Sequence, residues 1–212
     1  MTDIRQLAAE AAELIKNSSR TIALTGAGIS TESGIPDFRS KGTGLWEKYD
    51  PMKMSSASAL HSNPKQFYEF NLKRWSPFSE AKPNVAHTSL AELESHGLLY
   101  SVITQNIDGL HIKAGSKNVR EVHGHLRSCH SMKCKKTYPY SELMEQFSSG
   151  ICPPKCECEG TLRPDVVLFE DPLGAEFNKA INDLEECEVL IVIGSSLRVY
   201  PVASLPRYAE KL

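Results

Sequence analysis

No stretch of this 212-residue chain approaches the roughly 20 consecutive apolar residues of a membrane-spanning helix, and no internal repeat or low-complexity tract interrupts it. An excess of one charge is also missing. Lys and Arg number 24 against 26 Asp and Glu, interspersed, for a net charge of -2. That leaves no basic footprint for nucleic acid and no polybasic tail for a membrane surface. Residues 1–17 lack the basic start and continuous apolar centre of a secretion signal. Instead Ile4, Leu7, Ala8, Ala11, Leu14 and Ile15 recur at helical spacing, which predicts an amphipathic first helix and a cytoplasmic protein.

What is present is clustered. Of six cysteines, five lie between Cys129 and Cys158 and Cys187 stands alone. Without a secretion signal such clustering points to a metal rather than to disulfides, and Cys187 reads as a small core residue. The length suits one substantial core with a small satellite. Apolar, partly β-branched runs predict buried strands at residues 21–24, 98–103, 119–122 and 189–193. Asn63-Pro64 and Pro83 head two helical patterns, the second of which stops at Gly97. Strands alternating with helices predict a parallel sheet covered on both faces, a Rossmann-like α/β fold. Residues 33–50 read as a long glycine-bearing loop, and the polar, proline-rich cysteine block at residues 124–162 as a small inserted module.

Gly26-Ala27-Gly28-Ile29-Ser30 follows the first predicted strand directly and runs into Thr31-Glu32-Ser33-Gly34-Ile35-Pro36-Asp37-Phe38-Arg39. A glycine turn at a strand's carboxyl end lets backbone N–H groups approach an anion, although Gly-Ala-Gly alone is equally an ordinary tight turn. Further candidate elements end other predicted strands: Gln105-Asn106-Ile107-Asp108, His123-Gly124 and Gly194-Ser195-Ser196. Histidine takes a proton near neutral pH and suits general-base work, yet with seven histidines in the chain position alone does not single one out.

Taken together, these segments, the cysteine block and Leu162-Arg163-Pro164-Asp165-Val166-Val167-Leu168-Phe169 resemble the sirtuin family, of the bacterial type, from about residue 20 to the end. The resemblance implies an NAD-dependent protein-lysine deacylase, most simply a deacetylase. Such an enzyme transfers the acyl group to ADP-ribose and releases nicotinamide and O-acyl-ADP-ribose. It implies NAD contacts at Gly26, Ala27, Gly28, Ser30, Thr31, Pro36, Asp37, Phe38, Arg39, Gln105, Asn106, Ile107, Asp108, His123, Gly194, Ser195 and Ser196, with His123 and Asn106 catalytic. Phe38 would shield the cleaved anomeric carbon, and Asp108 with the Ile107 backbone would hold the nicotinamide carboxamide. Val167, Leu168 and Phe169 would pair with the substrate peptide as an added strand.

The same resemblance divides the chain into an NAD-binding domain of residues 1–123 and 163–212 and a zinc module of residues 124–162. The first would be cut short, because the family continues past Leu212 with another strand and an adenine-side loop. One structural zinc is expected on Cys129, Cys134, Cys156 and Cys158, with Cys152 as the rival of Cys156. Ser131 stands where a Cys-x-x-Cys knuckle would place its first thiol. Glu170 replaces a family glycine. Asn71 and Arg74 align loosely with the Tyr-x-x-Arg pair of sirtuins that remove acidic acyl groups, and the absent tyrosine favours uncharged ones.

Acylated-lysine proteins or peptides are thus the expected partners, and a monomer the expected state. A mono-ADP-ribosyltransferase on the same scaffold and a non-catalytic NAD- or peptide-binding module are the alternatives. A hydride-transferring dehydrogenase fits worst, lacking the second glycine spacing and the acidic ribose-binding residue about 20 positions on.

Overall fold

Aliphatic and β-branched side chains in short runs can be buried on both faces only in the middle of a parallel sheet. In the computed structural model, which describes residues 3–42 and 44–209, two of the four predicted runs take that place and the other two form the sheet's edges. Strands β1 (Thr21–Thr25), β2 (Ser101–Thr104), β3 (Val119–Glu121) and β7 (Val189–Ile193) form a parallel sheet in the order β3-β2-β1-β7. Every residue of β1 and β2 is buried. Thr25 lies opposite Thr104 on one side and Ile193 on the other, so three strand ends are level.

A second, antiparallel sheet of β4 (Gly124–Ser131), β5 (Thr137–Pro139) and β6 (Leu162–Val166) runs in the order β5-β4-β6. Its strands carry Arg, His, Ser, Thr, Asp and Pro, so their composition did not predict them. Because β6 pairs with β4, this sheet extends through Val166.

The helices are α1 (Ile4–Asn17), α2 (Pro51–Ser55), α3 (Ala57–Ser62), α4 (Pro64–Trp75), α5 (Val85–Ser95), α6 (Leu110–Ala114), α7 (Tyr140–Ser148), α8 (Ala175–Leu184) and α9 (Pro206–Ala209). Predicted starts are realised through capping. Asn63 accepts the Gln66 N–H with Pro64 in the first turn, and Asn84 accepts the Ala86 N–H in a capping box with His87. Helix α1 forms as its periodicity predicts, capped by Asp3, but none of its residues is buried.

Leu60, Phe67, Tyr68, Leu72 and Trp75 of α3 and α4 pack against Leu143, Leu162 and Val166, so these helices cover the second sheet. Helix α8 covers one face of the parallel sheet through Ala180 and Leu184, and α5 covers the other through Leu90. Each such Leu, Ile or Phe contributes about 1.5–3 kcal/mol by leaving water. Among the described residues no helix is long and apolar enough to cross a membrane.

Candidate NAD and peptide site

Strand order reverses at β1: the chain leaves it toward β2 and β3 and returns on its other side as β7. Ligands of open α/β sheets bind where this happens, outside the carboxyl ends of the strands. A cavity of about 780 Å³ opens there. Its walls come from the glycine turn, the 36–39 segment, the loops after β2, β3 and β7, and residues 166–169.

The turn after β1 and the turn after β7 are packed backbone on backbone. The N–H groups of Gly26 and Gly28 donate to the carbonyls of Ile193 and Gly194, at 3.0 and 2.9 Å. A Cβ on Gly28 would lie 2.8 Å from the Gly194 Cα, and one on Gly194 would lie 2.2 Å from the Ile29 nitrogen. These glycines therefore serve the contact between two turns, and their N–H groups are already used. Donors for an anion must come from the next residues, at the start of a 3-10 helix (Ala27–Ser33), where Ala27 faces the cavity.

A polar chain is buried behind the turn. Asn106 donates to the Gly26 carbonyl and to Ser30 Oγ, both at 3.1 Å, while Ser30 Oγ donates to Asp108 Oδ2 at 2.7 Å. Asp108 also accepts the Leu110 N–H at 2.9 Å. Gln105 donates to Ser195 Oγ at 2.8 Å, linking the loops after β2 and β7. The segments ending three predicted strands are thereby joined by hydrogen bonds rather than merely placed on one side.

His123 turns its ring back so that Nδ1 lies 3.0 Å from the Gln105 carbonyl oxygen. A carbonyl only accepts, so Nδ1 carries the hydrogen and Nε2 keeps its lone pair. Burial pushes the imidazole below its usual range, with the Gln105 hydrogen bond acting weakly the other way. A neutral, oriented imidazole therefore lines the cavity together with Asn106, Ile107, Asp108 and Phe38.

Residues 37–40 of the long loop are held together by Asp37. Its carboxylate accepts the N–H groups of Arg39 and Ser40 at 2.9 and 2.8 Å, and the Ser40 hydroxyl. Phe38 stacks on Trp46 with ring centroids 5.3 Å apart, and Trp46 meets the edge of Phe169. Arg74 faces the same ring, 5.4 Å from its centroid, and burial lowers its guanidinium to about 10. The Asn71 amide is engaged at both ends, accepting from Ser55 and Arg74 and donating to the Met54 and Phe67 carbonyls.

Across the cavity the Val167 N–H donates to the His123 carbonyl, and Phe169 is bridged to Ser55 and Ala57 through backbone hydrogen bonds. Glu170 keeps the left-handed conformation that a glycine would favour, φ 77°. Its carboxylate accepts the Ser58 N–H at 2.8 Å, which holds the turn in place of glycine's freedom.

Sequence reading missed Asn84 and Arg198. Asn84 donates from Nδ2 to the Ile29 carbonyl at 2.7 Å and so pins α5 to the glycine turn. The sequence marked this helix start by Pro83 alone. Arg198 lines the cavity beside Arg74, and a basic residue in a loop gives no sequence signal of that.

The cysteines separate into groups. Cys134, Cys156 and Cys158 bring their sulfurs within 4.8 Å of one another. Cys129 does not join them, which corrects the four-cysteine set. It is fully buried in β4, beside Leu143, with its thiol toward the Pro139 carbonyl at 3.6 Å. Ser131 occupies the next position on the same face, one pleat period or about 7 Å along the strand. Cys152 also stands apart, against the Lys65 carbonyl, and Cys187 is buried as a core residue.

Two further histidines are buried behind the site. His111 Nε2 lies 3.0 Å from Thr25 Oγ1, and the His87 and His111 ring centroids are 4.8 Å apart. Burial, and then His87, push His111 down to about 3, and burial lowers His87 as well. The unfolded chain takes up these protons near pH 6.5 while the folded chain does not. Stability is thus fully present above that pH and is lost as pH falls. The expected slope is about 1.4 kcal/mol per pH unit for each histidine that stays neutral. Urea unfolding at pH 7.5 and 5.5 measures it. Equal stability at both values would contradict the assignment.

A parallel sheet with two interlocked glycine turns at the carboxyl ends of adjacent strands defines an α/β protein with a dinucleotide-type site. The Sir2 family profile matches residues 26–201, and the chain belongs to that family. It is 50% identical over 211 residues to "NAD-dependent protein deacetylase 2" of Caldanaerobacter subterraneus subsp. tengcongensis, covering 99% of this chain and 84% of that protein. It is 44% identical to "NAD-dependent protein deacylase 2" of Archaeoglobus fulgidus, covering 95% and 80%. A Sir2 structure with a deacetylated p53 peptide and 3'-O-acetyl ADP ribose superposes with a TM-score of 0.91 at 40% identity, covering 96% of this chain and 82% of that one. Another, with p53 peptide and NAD+, gives a TM-score of 0.86 at 39% identity, covering 95% and 81%.

Proposed function

We infer that this chain is an NAD-dependent protein-lysine deacylase, acting as a deacetylase, that passes the acyl group from lysine to ADP-ribose with release of nicotinamide. The observation that carries the reading is the tautomer of His123. With Nδ1 committed to the Gln105 carbonyl, Nε2 is a ready base at neutral pH on the wall of the cavity.

NAD supplies an anomeric carbon that becomes electrophilic as nicotinamide leaves, and the protein's residues arrange the rest. Asp108 and the Ile107 backbone hold the carboxamide end, next to Ser30. The start of the 3-10 helix and Arg39, with Ser195 and Ser196, take the phosphates and riboses. Phe38, braced by Trp46 and Arg74, keeps water from the reacting carbon. The acyl-lysine oxygen would take the anomeric carbon in place of nicotinamide, and His123 Nε2 would accept the ribose hydroxyl proton as the hydroxyl oxygen attacks the acyl carbon. One water would enter as the lysine amine leaves, so that acyl-lysine, NAD and water give lysine, nicotinamide and O-acyl-ADP-ribose. Asn106 holds the turn and Ser30 in register. The peptide lies along residues 167–169 as an added strand, which makes recognition depend on backbone more than on side chains.

Acetyl is the assigned acyl group. Asn71 aligns with the tyrosine of the acid-binding pair and has its amide fully used inside the protein, while Arg74 is capped by aromatic rings. Cys134, Cys156 and Cys158 are assigned to one structural zinc, since clustered thiolates away from the cavity suit a metal that holds structure.

Incubation with an acetyl-lysine peptide and NAD tests the reading by mass spectrometry. One nicotinamide and one O-acetyl-ADP-ribose are expected per lysine freed. Label transferred to protein without loss of acetyl would overturn it in favour of the ADP-ribosyltransferase.

A further inference from the structure

A tetrahedral zinc with sulfur at about 2.3 Å sets its sulfurs about 3.8 Å apart. Cys134 Sγ and Cys156 Sγ stand 3.6 Å apart, and Cys158 Sγ is within 4.8 Å of both. Three corners of a tetrahedron are therefore in place. The fourth neighbour is Ser131, whose Oγ lies 3.3 Å from Cys158 Sγ.

Two observations show that Ser131 is built into this corner. Its Oγ accepts the N–H groups of Lys133 and Cys134, both at 3.2 Å, a cradle of the kind that steadies the first sulfur of a metal knuckle. On the far side Gly160 leaves the necessary room. A Cβ there would come within 2.6 Å of Ser131 Oγ and of the Lys133 side chain. The one cysteine on β4, Cys129, is a pleat period away from Ser131 with its thiol directed at Pro139.

We propose that the second sheet holds zinc on three thiolates, with the neutral Ser131 hydroxyl at the fourth corner, so that the metal is bound openly and exchanges. The proposal rests on the zinc assignment above and narrows it. Four thiolates enclose a metal and carry twice its charge, whereas a hydroxyl adds no charge and is readily displaced by water or an exogenous thiol. The Cys134 side chain is exposed, so a competing ligand can reach the site.

The full chain, reduced and reconstituted with zinc or cobalt(II), tests this without recourse to activity. Sulfur-to-cobalt charge-transfer absorption scales with the number of thiolates. The wild-type chain is expected to show three thiolates, Ser131→Cys to raise that intensity by about one third, and Cys129→Ser to leave it unchanged. Zinc loss to a chromogenic chelator is expected to be at least about tenfold slower from Ser131→Cys. Ser131→Ala keeps the three thiolates and should lose zinc faster than wild type, which reads the hydroxyl without adding a ligand.

A wild-type spectrum of four thiolates that loses one in Cys129→Ser would overturn the open corner while leaving a zinc site in place. Unchanged release from Ser131→Cys would do the same. Failure of the reduced wild-type chain to retain either metal would overturn the zinc assignment itself.

Discussion

Replacing His123 with alanine is expected to cut O-acetyl-ADP-ribose formation by about 10²- to 10⁴-fold, the range for removing a positioned general base. NAD affinity should change only a few-fold, because the polar chain through Asn106, Ser30 and Asp108 does not include the imidazole. The sharper expectation concerns the order of steps. Departure of nicotinamide needs the acyl oxygen and the bound NAD, not a base, so exchange of labelled nicotinamide into NAD should survive the substitution. Parallel loss of exchange and acyl transfer would mean that His123 shapes the pocket rather than moving a proton. In the wild-type enzyme the depressed imidazole places the acid limb of kcat/KM below pH 6.5, since activity requires the unprotonated ring.

The second large effect is expected at Gly194, where alanine must adopt φ +63 with its Cβ 2.2 Å from the Ile29 backbone nitrogen. The left-handed conformation costs about 1–2 kcal/mol and the clash about 1–3 more, because the obstructing atom is backbone and cannot rotate away. Relief requires the two glycine turns to part, so NAD binding should fall together with stability. A midpoint lowered by roughly 6–12 °C corresponds to about 3 kcal/mol in a chain of this size. Gly34→Ala is the control: φ there is +83, but nothing lies within 4 Å. It should lose only about 1 kcal/mol. Equal losses at the two positions, in thermal and urea unfolding, would refute the packing role assigned to Gly194.

That packing role marks where sequence reading reached its limit. Strands β1 and β2 were legible because buried parallel strands must be aliphatic, β7 because its run is aliphatic although it stands half-exposed at the sheet's edge, and α4 and α5 because Asn63-Pro64 and Pro83 mark helix starts. The glycines were legible as a turn but not as partners of another turn 168 positions on, from Gly26 to Gly194, since sequence carries no distance. The second sheet was hidden by its polar composition, and α2 and α3 by being too short for a periodic pattern.

Cys129 shows the same limit in the site. Cysteines near in sequence look equivalent, yet β4 presents Cys129 to the core and Ser131 to the thiol cluster. Gln105, Asn106, Asp108 and His123 lie at strand ends, where such folds bind ligands, but only the family resemblance singled them out, and their hydrogen bonds emerged only from the structure.

The aromatic bracing of Phe38 also gives the molecule an internal optical reporter. The chain has two tryptophans, Trp46 and Trp75, and both line the cavity. Trp46 lies between Phe38 and Phe169, touching the loop assigned above to the nucleotide and the segment proposed for the peptide. Trp75 sits beneath the Arg74 guanidinium. Indole emission from the unlabelled protein therefore originates at the site alone, and each ligand that displaces the loop or the arginine announces its arrival without a dye or a fusion.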